Sequence, residues 1–350
     1  MSEVALAATL FGPEDLRMVA QPLDPLAKGM VRIKFGAAGI CGSDMHYFRH
    51  ARTGNFVVTS PLVLGHEIAG TVAEVGLQGT HLKVGDHVAI NPSRWCGHCA
   101  RCREGRANLC ENIYFMGSAS KTPHMQGGFA TFFDVVPAQC IVVPKDLPFA
   151  SVALAEPLAV CLHAASRAGD LKGRRVALFG AGPIGLLTML SAKLAGAGDL
   201  TMIDIAGQPL AFARKLGANA TFDISEGNDK LVAAAQEQPF DVVFEVTGAP
   251  SALAMAIRTV CRGGVLVQIG NLPGGEIPVP ANAIMAKEID FRGSFRFDKE
   301  FARAVDLIVQ GGIDVQQLIT ARRPLADTPA AMRLALDRSQ SIKVVLEASS

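Results

Sequence analysis

From about residue 174 onward, apolar and polar positions alternate between two periods. Short runs rich in branched apolar residues, Arg175 to Phe179, Leu200 to Ile203, Asp241 to Val246 and Val265 to Ile269, read as buried strands. Between them lie segments of helical period: Pro183 to about Ala195, Gln208 to Leu216 closed by Gly217, and about Ser251 to Cys261. Strands alternating with helices predict a doubly wound parallel sheet with helices on both faces. The first 150 residues have another texture. Short Val/Ile/Thr runs such as Met30 to Phe35, Ile68 to Val75 and His87 to Ile90 are broken by Gly and Pro, and predict an irregular β-rich unit. Past about residue 290 only a helix, Lys299 to Val309, and a strand, Ile342 to Leu346, stand out.

Composition narrows the class. A chain of 350 residues accommodates two hydrophobic cores. Hydrophobic residues at 49% and charged residues at 19% exclude extensive disorder. Thirty-three Lys plus Arg against 32 Asp plus Glu leave a net charge of +1, which argues against a nucleic-acid or anionic-membrane binder. The longest uncharged stretch, Val176 to Ala192, is interrupted by Gly180, Gly182, Pro183 and Gly185 and does not read as a membrane span. Glu3 precedes a short apolar run without a basic flank, so no secretory leader is expected. A soluble, cytoplasmic protein is the expectation.

Three constellations carry chemistry. Gly180-Ala-Gly182-Pro183-Ile184-Gly185 lies between a predicted strand and helix, where glycines permit a tight turn and close approach of a pyrophosphate to the helix N-terminus. Asp204 ends the next strand about 20 residues later, suited to ribose hydroxyls and repellent to a 2′-phosphate. The following Ile205-Ala-Gly-Gln208 offers no cation to such a phosphate, so NAD is expected over NADP. Cys96, Cys99, Cys102 and Cys110 have the density of a metal site, and four thiolates would close a tetrahedral, structural zinc. Cys41 and the His66-Glu67 pair supply a softer and two harder ligands from separate loops, the number a catalytic zinc needs beside one open position. Cys140, Cys161 and Cys261 read as packing residues.

Gly39-Ile-Cys-Gly-Ser-Asp44, GHExxGxVxxVG at Gly65 to Gly76, the four-cysteine lobe and GAGPIG resemble, in order and over essentially the whole chain, the zinc-containing medium-chain dehydrogenases. The resemblance implies a GroES-like catalytic domain over 1–154, a Rossmann coenzyme domain over 155–292, and a return to the catalytic domain over 293–350. Ala155-Glu156-Pro157-Leu158-Ala159-Val160 is similar to the polyol branch, sorbitol dehydrogenases among them. It implies a catalytic zinc on Cys41, His66 and one or both of Glu67 and Glu156. Ser43 and His46 would form a proton relay, Thr247 would belong to the coenzyme site, and Tyr47, Glu156 and Arg296 would meet the substrate. Ile90-Asn-Pro-Ser93, Phe115-Met-Gly-Ser118 and Gly293-Ser-Phe-Arg296-Phe297 resemble L-idonate 5-dehydrogenases, although Phe297 stands where sorbitol dehydrogenases have tyrosine.

The expectation is therefore hydride transfer between NAD and a secondary alcohol of a sugar acid or polyol, by a homodimer or homotetramer with two zinc ions per subunit. Arg49, Arg52 and Arg94 flank the zinc-binding stretches as further candidates for a substrate carboxylate. A sorbitol-, xylitol- or threonine-type dehydrogenase is the alternative within the family. A zinc-ribbon binding module is the alternative outside it, disfavoured by the coenzyme motif and the charge balance.

Overall fold

The computed structural model describes residues 4–76 and 80–348; Glu3 lies outside them. Its contacts divide the chain into two units, 1–157 with 298–350, and 158–297. Residues 155–157, with Glu156, group with the first unit, and residues 293–297, with Arg296, group with the second.

The first unit is β-rich. A seven-stranded sheet runs in the order Cys140–Val143, His87–Ile90, Glu67–Val75, Val31–Gly39, Lys343–Glu347, Ile319–Pro324, with Phe132–Val135 also paired to Val31–Gly39. The apolar side chains of these short strands, Ile33, Ile68, Val88, Ile90 and Leu346 among them, fill one core with Phe129, Leu62 and Leu64. Val31–Gly39 is the pivotal strand. At its end Gly39 lies opposite Glu67 on one neighbour and Val345 on the other. Here the two sequence segments of the unit pair with one another, which local periodicity does not reveal. Helix Thr328–Leu336 and strand Ile319–Pro324 were not expected from the pattern.

The second unit is the doubly wound sheet. Its six parallel strands run Ala220–Asp223, Asp199–Asp204, Arg175–Phe179, Phe240–Glu245, Val260–Gln268, Asp290–Gly293. Numbered within the unit this is 3-2-1-4-5-6, the Rossmann order. Phe179, Phe240 and Val243 pack against Leu253, Ala256 and Ile257 of helix Pro250–Thr259 in a fully apolar layer. Each such phenylalanine contributes roughly 1.5–3 kcal/mol by leaving water. One boundary differs from the expectation. Cys261 was placed at a helix end, but the helix stops at Thr259 and Cys261 is half-buried on strand Val260–Gln268. The β-branched Val260 and the glycines at 263 and 264 break the helical period there.

Helical span Phe149–Ala168 is long and apolar enough to cross a membrane, and 78% of it is buried inside the protein, as befits a core helix.

Candidate active site

In the β-rich unit, Cys41 caps the N-terminus of helix Gly42–His50, and His66 directly precedes strand Glu67–Val75. Cys41 Sγ, a ring nitrogen of His66 and a carboxylate oxygen of Glu67 lie within 4.8 Å of one another, close enough for one cation to collect. His66 and Glu67 are buried and Cys41 is half-buried. A thiolate, an imidazole and a carboxylate in this arrangement fit a zinc ion with a further position left open. His66 Nδ1 is a buried atom without a hydrogen-bond partner, so the cluster holds a polar group that a cation would satisfy. Of the two candidate glutamates, Glu67 is the one in this donor cluster. Glu156, buried in the first turn of helix Ala155–Ala168, acts on the same region through its charge.

Asp44 ties the two ligand segments together. Its carboxylate is fully buried and accepts the Cys41 N–H at 3.0 Å and the Gly65 N–H at 3.2 Å. Its Oδ1 is also 3.6 Å from His66 Nδ1, a separation longer than a hydrogen bond but short for two charges. Burial opposes a proton on His66, yet the Asp44 carboxylate and Cys41 sulfur outweigh it and hold the imidazolium well above its usual range. A zinc ion would take the place of that proton. Phe115 packs on the ring at 5.2 Å between centroids and fixes its plane. Such support of a ligand by a buried carboxylate is a common feature of metal sites.

Lys343 is a second residue that the sequence reading did not single out. Its ammonium is buried, donates to Glu67 Oε1 at 2.7 Å and to the Ile40 carbonyl at 2.8 Å, and lies 2.5 Å from Glu67 Oε2. Burial works against its charge, but Glu67, Cys41 and Glu156 raise its pKa above the ordinary lysine range.

Ser43, His46 and Tyr47 lie on helix Gly42–His50. Ser43 and His46 are three residues apart and so share a helix face. Burial, and then the charge of His50, lower the pKa of His46. The two rings sit 6.2 Å apart. Tyr47 packs its ring into the core, and its hydroxyl accepts the Ala119 N–H at 3.0 Å.

The second cluster has the geometry of a closed metal site. Cys96, Cys99, Cys102 and Cys110 converge, with Sγ separations of 4.0 Å (Cys96 to Cys102) and 3.5 Å (Cys96 to Cys110). Zinc–sulfur bonds of about 2.3 Å make a tetrahedron with edges of about 3.8 Å, so the four sulfurs fit it. Backbone N–H groups already point at sulfur: Cys99 to Cys96 at 3.4 Å, and Cys96 and Asn112 to Cys110 at 3.3 Å each. Backbone donors from Cys102 and Glu111 bring the Cys99 thiol down to about 6. Burial and then the neighbouring Cys99 push Cys102 up to about 12. His98 is directed elsewhere, its Nδ1 2.8 Å from the Cys96 carbonyl.

The coenzyme motif lies in the second unit, where the sheet order reverses between Arg175–Phe179 and Phe240–Glu245. Gly180 takes φ 108°, a left-handed backbone, and Gly182 caps helix Pro183–Leu194, which starts with Pro183 and Ile184. A Cβ on Gly185 would fall 1.8 Å from the Gly180 carbonyl oxygen, so only glycine lets this helix seat on the strand. Thr247 follows the neighbouring strand. Its N–H, with that of Gly248, donates to the fully buried carboxylate of Glu245, which also receives Gln268. Glu245 thereby shapes the turn that carries Thr247, a role without a local sequence signal. Asp204 is buried at its strand end and accepts three backbone N–H groups, from Ala181, Ile205 and Ala206. In the same unit Arg296 has a left-handed backbone, φ 52°, and its guanidinium lies over Phe295 at 4.9 Å, while Phe297 is buried.

Comparison with known proteins places these sites in a family. An alcohol dehydrogenase GroES-like domain matches residues 27–145, and a zinc-binding dehydrogenase domain matches residues 183–310. The chain is 38% identical over 335 residues to L-idonate 5-dehydrogenase (NAD(P)(+)) of Escherichia coli, covering 96% of each chain. It is 35% identical over 343 residues to sorbitol dehydrogenase of Bacillus subtilis, covering 97% of this chain and 96% of that one. The crystal structure of L-idonate 5-dehydrogenase from Escherichia coli superposes with a TM-score of 0.93 at 36% identity, covering 99% of both chains. With a GroES-like unit, a Rossmann unit and two zinc-compatible donor clusters, the chain belongs to the zinc-dependent, NAD(P)-linked polyol and sugar-acid dehydrogenases.

Proposed function

We propose that this enzyme oxidises a secondary alcohol of a sugar acid with NAD, and that L-idonate and 5-keto-D-gluconate are its preferred pair. The observation that carries the reading is the donor cluster of Cys41, His66 and Glu67, braced by Asp44 and joined on its helix by Ser43 and His46.

A zinc ion held by Cys41, His66 and Glu67 would supply the Lewis-acid chemistry that eases loss of the hydroxyl proton, and a nicotinamide coenzyme seated on the glycine turn would supply the hydride acceptor. The chain's own residues do the rest. Asp44 orients His66 and, through the Cys41 N–H, the start of the helix. The Ser43 hydroxyl accepts the alcohol proton as it passes its own outward, and His46, whose pKa is lowered by burial and by His50, takes up the relayed proton for release to solvent. The glycine turn at 180–185 and Asp204 seat the dinucleotide, with Asp204 favouring NAD over NADP because its carboxylate repels a 2′-phosphate.

The choice of a sugar acid is supported by Arg296 and Phe297. A planar guanidinium meets a carboxylate in two parallel hydrogen bonds, and Arg296 is assigned that contact. Phe297, without a hydroxyl, withholds a hydrogen bond that a neutral polyol would use. The identity to the Escherichia coli L-idonate enzyme points the same way. Following NADH absorbance, kcat/KM for L-idonate should exceed that for sorbitol, xylitol and threonine. Equal efficiency on aldonates and neutral polyols would refute the sugar-acid assignment and leave the dehydrogenase intact.

A further inference from the structure

We propose that Lys343 is a positioning residue of the metal centre, which restrains Glu67 and keeps a place open at the cation. The proposal rests on the catalytic-metal reading above. Strand Val31–Gly39 separates strand Lys343–Glu347 from strand Glu67–Val75, and a side chain on Gly39 would block the path between them. A Cβ there would lie 1.9 Å from Glu67 Oε2 and 2.9 Å from Lys343 Cε. Glycine thus opens a passage for the ammonium to reach the carboxylate beneath the sheet's central strand. The Ile40 carbonyl holds the ammonium on its other side. Both charges are buried, so neither can exchange its partner for water.

The arrangement has a consequence for the donor cluster. Lys343 sets a positive charge beside the donor cluster: its ammonium contacts Glu67 directly, and Cys41 Sγ and a His66 ring nitrogen lie within 4.8 Å of a Glu67 carboxylate oxygen. While Lys343 holds Glu67, the carboxylate is shared between the ammonium and a bound cation. Without Lys343 the carboxylate would have only the cation as counter-charge, and would crowd its open position. Loss of the lysine should therefore tighten metal binding and impair turnover together. A lysine that merely stabilised the fold would give looser metal binding.

The test is zinc release to a chelator from Lys343→Met, with Lys343→Arg as the conservative control. Lys343→Met should release the catalytic zinc about tenfold more slowly, because a Glu67 carboxylate no longer shared with the ammonium is free to bind the cation fully. Its cobalt-substituted form should show the weaker visible absorption of a higher coordination number, and Lys343→Arg should restore both properties. The E67Q/Lys343→Met double variant removes both buried charges together and guards against misfolding, and measured against E67Q it should change release by less than about threefold, because the lysine acts through Glu67. Cys41→Ala serves as a separate arm. Unchanged zinc content in that variant would overturn the metal reading itself. One zinc lost from Cys41→Ala, with faster zinc release from Lys343→Met, would overturn the role of Lys343 alone.

Discussion

The carboxylate of Asp204 accepts the backbone N–H of Ala181 at 2.7 Å, joining the end of one strand to the glycine turn that follows another. Asp204 therefore shapes the glycine turn, beside the ribose contact proposed for it. Asp204→Ala should weaken NAD binding by about 1–3 kcal/mol, the range for hydrogen bonds to a charged group and for leaving buried donors unpaired. It should weaken NADP binding less, so that the preference between the two narrows. Titration of both coenzymes by fluorescence checks this; a variant that binds NAD as tightly as the parent contradicts it.

The two sulfur-containing clusters should respond differently to loss of one ligand. Cys41→Ala or His66→Ala should abolish turnover while circular dichroism and the melting temperature stay near those of the parent. Cys99→Ala removes one of four converging sulfurs, and a bound structural zinc contributes directly to folding free energy. It should lower thermal stability, or prevent recovery of folded protein. Metal analysis beside melting curves separates the cases. Full turnover by a Cys41→Ala protein that has lost one zinc would contradict the catalytic assignment.

The relay predicts a pH signature. Burial and the neighbouring His50 lower the pKa of His46, so the ring stays neutral, and able to accept a proton, below the ordinary histidine value of 6.5. The acid limb of kcat/KM should accordingly lie below pH 6.5. His50→Asn removes the like charge and should shift that limb upward, toward the ordinary value, without moving it past it. Stability follows the same sign. The unfolded chain binds the proton more readily, so the contribution of His46 is whole above the unfolded value of 6.5 and is lost as pH falls from there through the lowered folded value. An acid limb unmoved in His50→Asn would remove His46 from the relay.

Arg296→Leu should cost about 2–5 kcal/mol in kcat/KM on L-idonate if it pairs a desolvated carboxylate. It should cost much less on sorbitol, which has no carboxylate. A loss of equal size on both substrates would assign Arg296 to hydroxyl contacts or to the fold. In that event Arg49, Arg52 and Arg94 become the candidates for the acid group.

Much of this protein is written locally. The strand–turn–helix at 175–194 was legible because its period changes at a glycine turn, and Gly180 and Gly185 are required by backbone geometry within a few residues. The four-cysteine lobe was legible because all four ligands fall between Cys96 and Cys110, where spacing alone brings the sulfurs together. Cys41, His66 and Glu67 were legible as motif residues, and the structure joins them through adjacent strands. What the sequence did not disclose depends on strand pairing over long separations. Lys343 lies 276 residues from Glu67 and meets it only because the last strand pairs with Val31–Gly39 across a glycine. Asp44 stood in the Gly39–Asp44 motif without a role of its own, and only the fold sets Gly65 and His66 against it. Glu245 was one residue of a predicted strand, and only the fold brings the Thr247 turn and Gln268 of the adjacent strand onto its carboxylate. Local residues chose the ligands and the coenzyme turn; the tertiary fold chose their counter-charges, because a buried charge must find its partner wherever the chain brings one within reach.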